Sequence, residues 1–67
     1  MKITVNKREY QFDEDGLNVA EILARMNFTF PMIVVKLNGV LVKKDDYVNT
    51  PVGEGDVVEA IHLISGG

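Results

Sequence analysis

Asn38-Gly39 stands between two apolar runs, Ile33-Val34-Val35-Lys36-Leu37 and Val40-Leu41-Val42. A two-residue type I′ turn needs φ > 0 at both central positions, and Asn-Gly meets that need at low steric cost. The pair therefore predicts a tight antiparallel hairpin. The whole chain has only 67 residues, which makes it one domain near the lower size limit for an uncrosslinked core. A fold of this size buries roughly 60% of the surface its unfolded chain exposes, so each core side chain matters. The sequence has no cysteine, which removes disulfides, thiolate metal sites and thiol nucleophiles together.

The remaining elements follow from periodicity. Ile3 and Val5 alternate with Lys2 and Thr4, and Tyr10 and Phe12 with Glu9 and Gln11, the period of half-buried strands. Asn6-Lys7 between them reads as a two-residue turn with lysine mildly strained, or as a wider loop taking in Arg8. A helix follows. Asn18 is placed to cap it, with Glu21 completing a capping box and Leu17 and Ile22 at hydrophobic-staple spacing. Val19, Ile22, Leu23 and Met26 share one helical face, Glu21 and Arg25 sit at i,i+4 spacing on the outside, and Asn27 suits a left-handed end. Beyond the Asn38-Gly39 hairpin come a polar stretch from Lys43 to Asn49, a short Thr50-Pro51-Val52 run and a turn at Gly53-Glu54-Gly55-Asp56. The last strand runs from Val57 to about Leu63. The order β-β-α-β-β-β predicts an α+β domain, a mixed sheet of about five strands on one helix. That arrangement suits the β-grasp, or ubiquitin-like, fold, with the first and last strands parallel in mid-sheet.

No catalytic constellation is visible. Asp13, Glu14, Asp15, Asp45 and Asp46 are scattered over turns and read as solvated charges, the first three also favouring the helix dipole. His62 is the sole histidine and has neither cysteine nor second histidine to share a metal. Ser65 has no base in sequence reach. Gly53-Glu54-Gly55 leads into no helix and reads as a turn rather than a phosphate loop. Lys43-Lys44 is a small basic patch. With a net charge of −3, neither nucleic acid nor an anionic membrane is expected as partner. Met1 to Val5 is too short an apolar run for a signal peptide, and no stretch reaches the roughly 20 apolar residues of a membrane span. The expected location is the cytoplasm and the expected free state a monomer.

The chain's last residues are Ser65-Gly66-Gly67. Lacking Cβ atoms, the glycines fit channels that a methyl group would block. The division expected is a folded body over residues 1–64 and a flexible tail over 65–67. Along the last strand Val58, Ala60, His62 and Ile64 point one way, and Val57, Glu59, Ile61 and Leu63 the other. Only one face can lie under the helix, so apolar surface is left on the second, and a one-residue slip would exchange the two. Ile61, His62, Leu63 and Ile64 are the candidate docking residues, since exposed apolar patches mark interaction sites.

Several segments resemble the ThiS family of sulfur carriers of thiamin biosynthesis. They are Met1-Lys2-Ile3-Thr4-Val5-Asn6, Val19-Ala20-Glu21-Ile22-Leu23, Ile33 to Gly39, Gly55-Asp56-Val57-Val58-Glu59 and the terminal Gly66-Gly67, covering nearly the whole chain. Lys7 stands where the family often has glycine, and Lys43-Lys44 where a proline-arginine pair is common. The resemblance implies a protein with no enzyme activity of its own and no stably bound cofactor. A ThiF-type enzyme would use ATP and Mg²⁺ to adenylate the Gly67 carboxylate, and a cysteine-derived sulfide or persulfide would convert it to a thiocarboxylate. A ThiG-type thiazole synthase would receive the sulfur, with Ser65 and Gly66 threading the tail. The alternatives are a MoaD-like small subunit of molybdopterin synthase, a ubiquitin-like protein modifier joined through Gly67, and a plain interaction domain.

Overall fold

Two tight turns organise the sheet. The computed structural model describes residues 1–29 and 32–63. In it Asn38 and Gly39 take φ of 52° and 83°, and Asn6 and Lys7 take 50° and 71°. All four are left-handed, as type I′ geometry requires. The narrower of the two loops foreseen at Asn6-Lys7 is therefore the one formed. It joins β1 (Lys2–Val5) to β2 (Arg8–Gln11) with Val5 opposite Arg8. The second turn joins β4 (Ile33–Leu37) to β5 (Val40–Val42) with Leu37 opposite Val40.

Between these hairpins lies α1 (Val19–Arg25), only seven residues long. A helix so short is marginal in isolation, so its ends and its buried face have to hold it. Its capping box is complete. The Glu21 N–H donates to Asn18 Oδ1 at 2.8 Å, and the Asn18 N–H donates to Glu21 Oε1 at 2.9 Å. The Val19 and Ala20 N–H groups, which have no intrahelical acceptor, donate to the Thr50 and Tyr47 carbonyls at 2.9 and 3.2 Å. Asn27, with φ of 60°, turns the chain away after the last turn, and the Phe28 N–H returns to the Leu23 carbonyl at 2.8 Å.

Three short elements complete the chain before its last strand: β3 (Gly16–Asn18), a 3₁₀ turn (Lys44–Asp46) and β6 (Pro51–Gly53). The last is β7 (Val57–His62). Five strands form one mixed sheet in the order β2-β1-β7-β4-β5. The first and last strands are parallel inside it, with Thr4 beside Val57 and Val5 beside Val58. This is the β-grasp arrangement, a five-stranded sheet covered by one helix. Two short strands add to the expected order. The Pro51–Gly53 strand does not join the main sheet, but pairs with β3 as a separate antiparallel ribbon. The ribbon places buried Leu17 opposite buried Val52 and closes the core beside the helix start.

The core lies between α1 and one face of the sheet. Among the described residues Ile3, Val5, Val19, Ile22, Val35, Val52 and Val58 are the largest fully buried side chains, with Leu23, Val42 and Ala60 close behind. Met26 packs against this cluster as a partly buried neighbour, so the expected helical face is the buried one. The Glu21–Arg25 pair does not form. Glu21 is held by the N-cap, and Arg25 donates instead to the Glu14 carboxylate.

Candidate functional site

β7 is read from its register outward. Val58 and Ala60 are buried under the helix side, and Val57, Ile61 and Leu63 are 41%, 47% and 44% exposed. That settles which face is which. The odd-numbered residues line the sheet's outer face, and the even-numbered ones face the core.

The neighbouring strands extend the patch. Ile61 lies opposite Val34 and Glu59 opposite Lys36, while Lys36 lies opposite Leu41 on its other side. The Leu63 N–H donates to the Met32 carbonyl at 2.9 Å. Met32 and Leu41 are 50% and 58% exposed, and Val34 is half-buried. Cross-strand neighbours on one face are close enough for their side chains to interact. Leu63, Ile61 and Val34 therefore make an apolar stripe, bordered by the oppositely charged pair of positions Glu59 and Lys36.

Of the four docking residues expected from sequence, Ile61 and Leu63 share this face. His62 does not. It is exposed but belongs by alternation to the side of Val58 and Ala60, opposite Ile33. Ile64, Ser65, Gly66 and Gly67 lie outside the described residues. Val34, Met32 and Leu41 were not anticipated as part of the patch. The signal for Val34 lay in the Ile33–Leu37 run, which carries apolar residues at both parities and so has an apolar face to spare once Val35 is buried.

The shifted groups among the described residues lie elsewhere in the fold. Glu14 is held below the ordinary carboxylate range, first by the hydrogen bond from Arg25 and then by a backbone bond of its own loop. Burial pushes the Tyr47 hydroxyl up. Both lie toward the helix side. Among the described residues no group of three or more His, Cys, Asp or Glu is placed to hold a metal ion, and no helix is long and apolar enough to cross a membrane. What the outer face offers is apolar contact area.

Comparison with known proteins decides the family. The ThiS family model matches residues 2–67. The chain belongs to the ThiS family. The crystal structure of a thiamine biosynthesis protein (ThiS) from Geobacter metallireducens is similar at 32% identity, with a TM-score of 0.89 and full coverage of both chains. An NMR solution structure of a thiamine biosynthesis protein from the same organism has a TM-score of 0.80 at 32% identity, covering all of this chain and 88% of that one. The ThiS match reaches from β1 through β7 to the Gly66-Gly67 end. Lys7 and the Lys43-Lys44 pair leave that fold intact, the first inside the β1–β2 turn and the second at the start of the 3₁₀ turn.

Proposed function

We propose that this chain is a sulfur carrier of thiamin biosynthesis, a substrate of partner enzymes rather than a catalyst. The observation that carries the reading is the ThiS family match running through residue 67. The body over residues 1–64 docks, and the tail over 65–67 delivers the Gly67 carboxyl group. A carboxylate is a poor electrophile, because its charge and resonance resist attack and oxide leaves poorly. In the proposed sequence, a ThiF-type enzyme brings ATP and Mg²⁺. The Gly67 carboxylate attacks the α-phosphorus, pyrophosphate departs and an acyl-adenylate forms. A cysteine-derived sulfide or persulfide sulfur then attacks the Gly67 carbonyl carbon and expels AMP. Where a persulfide attacks, a thiol reductant cuts the remaining S–S bond. The resulting thiocarboxylate gives up its sulfur at a ThiG-type thiazole synthase. Ile61 and Leu63 on the outer face anchor the body, and His62 and Ile64 are the further docking candidates. Ser65 and Gly66 let the end enter a closed site, where positioning and exclusion of water favour reaction.

The test is intact mass after incubation with the cognate adenylating enzyme, ATP, Mg²⁺ and a sulfur source. The expected result is replacement of one oxygen by sulfur, localised to Gly67. A chain with alanine appended after Gly67 should remain unthiolated, and its full thiolation would overturn the mechanism. Ladders of the chain on lysines of other proteins in cell extracts would instead favour the modifier reading.

A further inference from the structure

The parallel rungs between β1 and β7 end early. Backbone pairing covers Thr4–Val57 and Val5–Val58 and closes with the Asn6 N–H donating to the Val58 carbonyl at 3.0 Å. The chain then turns away at Asn6 and Lys7. On the other edge of β7, pairing with β4 continues to Ile33–His62, and the Leu63 N–H reaches the Met32 carbonyl at 2.9 Å. The bonds to β4 fall on Leu63 and on Val57, whose carbonyl accepts from the Asn38 N–H at 2.7 Å. Odd residues of β7 therefore aim their backbone groups at β4, and even residues aim theirs at β1. Ala60, only 8% exposed, directs its N–H and C=O toward an edge that the β1 backbone has already left.

The Asn6 side chain occupies that place. Its Oδ1 accepts from the Ala60 N–H at 2.8 Å, and its Nδ2 donates to the Ala60 carbonyl at 3.1 Å. A side-chain amide carries the same donor and acceptor as a peptide unit, so Asn6 adds one rung to the ladder after the strand has ended. Without it, two polar groups of a buried residue would lose their partners.

From this geometry we infer that Asn6 is a positioning residue for the carboxyl-terminal segment. It holds β7 in strand geometry through Ala60 on the β1 edge, instead of through Val58. Two consequences follow, and both rest on the delivery of the Gly67 carboxyl proposed above. Ile61 and Leu63 share the outer face only while the pleat of β7 persists past Ala60, because alternation is a property of extended backbone. A longer loosely held stretch also lowers the effective concentration of its end at a partner's site. Asn6 thus acts through β7 on docking and delivery, without touching the reacting atoms.

The variant that isolates this role is Asn6→Gly, which keeps the left-handed turn accessible and removes the amide. Asn6→Asp is the second variant. It also tolerates φ > 0 and keeps an acceptor for the Ala60 N–H, but sets a carboxylate oxygen against the Ala60 carbonyl. Amide hydrogen exchange on the chain alone should show the Ala60 N–H exchanging about tenfold faster or more in either variant, relative to the Val35 N–H in the β4–β5 ladder. With the adenylating enzyme, ATP and Mg²⁺, kcat/KM for the carrier should fall about tenfold. A helix-core variant with the same loss of Tm, such as Ile22→Val, should keep the parental kcat/KM. Equal acceleration at Ala60 and Val35, or a kcat/KM no lower than that of the stability-matched control, overturns the inference. Failure of the parent chain to be adenylated at all would sink the sulfur-carrier reading instead, and the exchange measurement alone then decides whether Asn6 holds Ala60.

Discussion

Lys7 holds φ at 71°, a conformation that costs an ordinary L-residue roughly 1–2 kcal/mol. Nothing compensates it locally, since Lys7 is exposed and the turn's side-chain hydrogen bonds belong to Asn6. Lys7→Gly should therefore stabilise the domain by about 1 kcal/mol, the relief of strain exceeding the added entropy of the unfolded chain. Urea denaturation checks it, through a raised midpoint at unchanged slope. Asn38 does in its turn what Asn6 does in the first. Its Oδ1 accepts from the Val57 N–H at 2.8 Å and its Nδ2 donates to Asp56 Oδ1 at 3.1 Å, while Asp56 Oδ2 takes the Gly53 N–H at 2.8 Å. The backbone role of both asparagines was readable from sequence, because turn chemistry is local. The grip of their side chains on β7 was not, because it spans 54 residues for Asn6–Ala60 and 19 for Asn38–Val57. The Glu21–Arg25 spacing misled for a related reason: a carboxylate engaged at the N-cap is withdrawn from its i+4 neighbour.

At the scale of elements, α1 depends on what it packs against. Leu23 is 7% exposed within the core, so Leu23→Ala should cost roughly 2–5 kcal/mol, lost transfer energy plus cavity. Against a total of about 5–15 kcal/mol for a small domain, a large drop in Tm is expected by calorimetry, and parental melting would refute the packing. The loop before β3 is fastened to the last turn of α1 by Glu14 and Arg25. Because the folded-state pKa of Glu14 is lowered, chiefly by the Arg25 hydrogen bond, its contribution is present above the unfolded pKa and is lost as pH falls through the folded one. Arg25→Met should therefore flatten the acid limb of Tm against pH and converge with the parent once Glu14 is protonated. At neutral pH the difference should be small, because the two side chains are 47% and 37% exposed and solvent screens such pairs. The β3–β6 ribbon was the element that sequence reading lacked. Three-residue strands are too short to display a period of two, and Gly16-Leu17-Asn18 carries capping signals for the helix that mask its pairing. The long runs, by contrast, were placed correctly, since alternation over four to six residues has few competing explanations.

For the whole molecule, the two faces of β7 set the division between folding and proposed function. Alternation along the strand allowed either face to be the core, and only pairing with β1 and β4 put Val58 and Ala60 inside. Opposite responses to the same chemistry should follow. Val58→Asp buries an unpaired carboxylate at a site with 0% exposure and should strongly destabilise or abolish the fold, because several kcal/mol per buried ion, added to the lost packing, consumes most of what a domain this small holds. Ile61→Glu, three residues further along on the other face and 47% exposed, should leave stability within about 0.5 kcal/mol of the parent. Its charge would sit in the apolar stripe with Val34 and Leu63, where a docking partner would have to desolvate it. If this face carries the body while the tail delivers Gly67, Ile61→Glu should raise KM for the adenylating enzyme at least tenfold, with kcat changed far less, because the reacting carboxyl is untouched. An unchanged KM in a variant that melts like the parent would move the docking surface elsewhere on the sheet and leave the chemistry at Gly67 standing on its own.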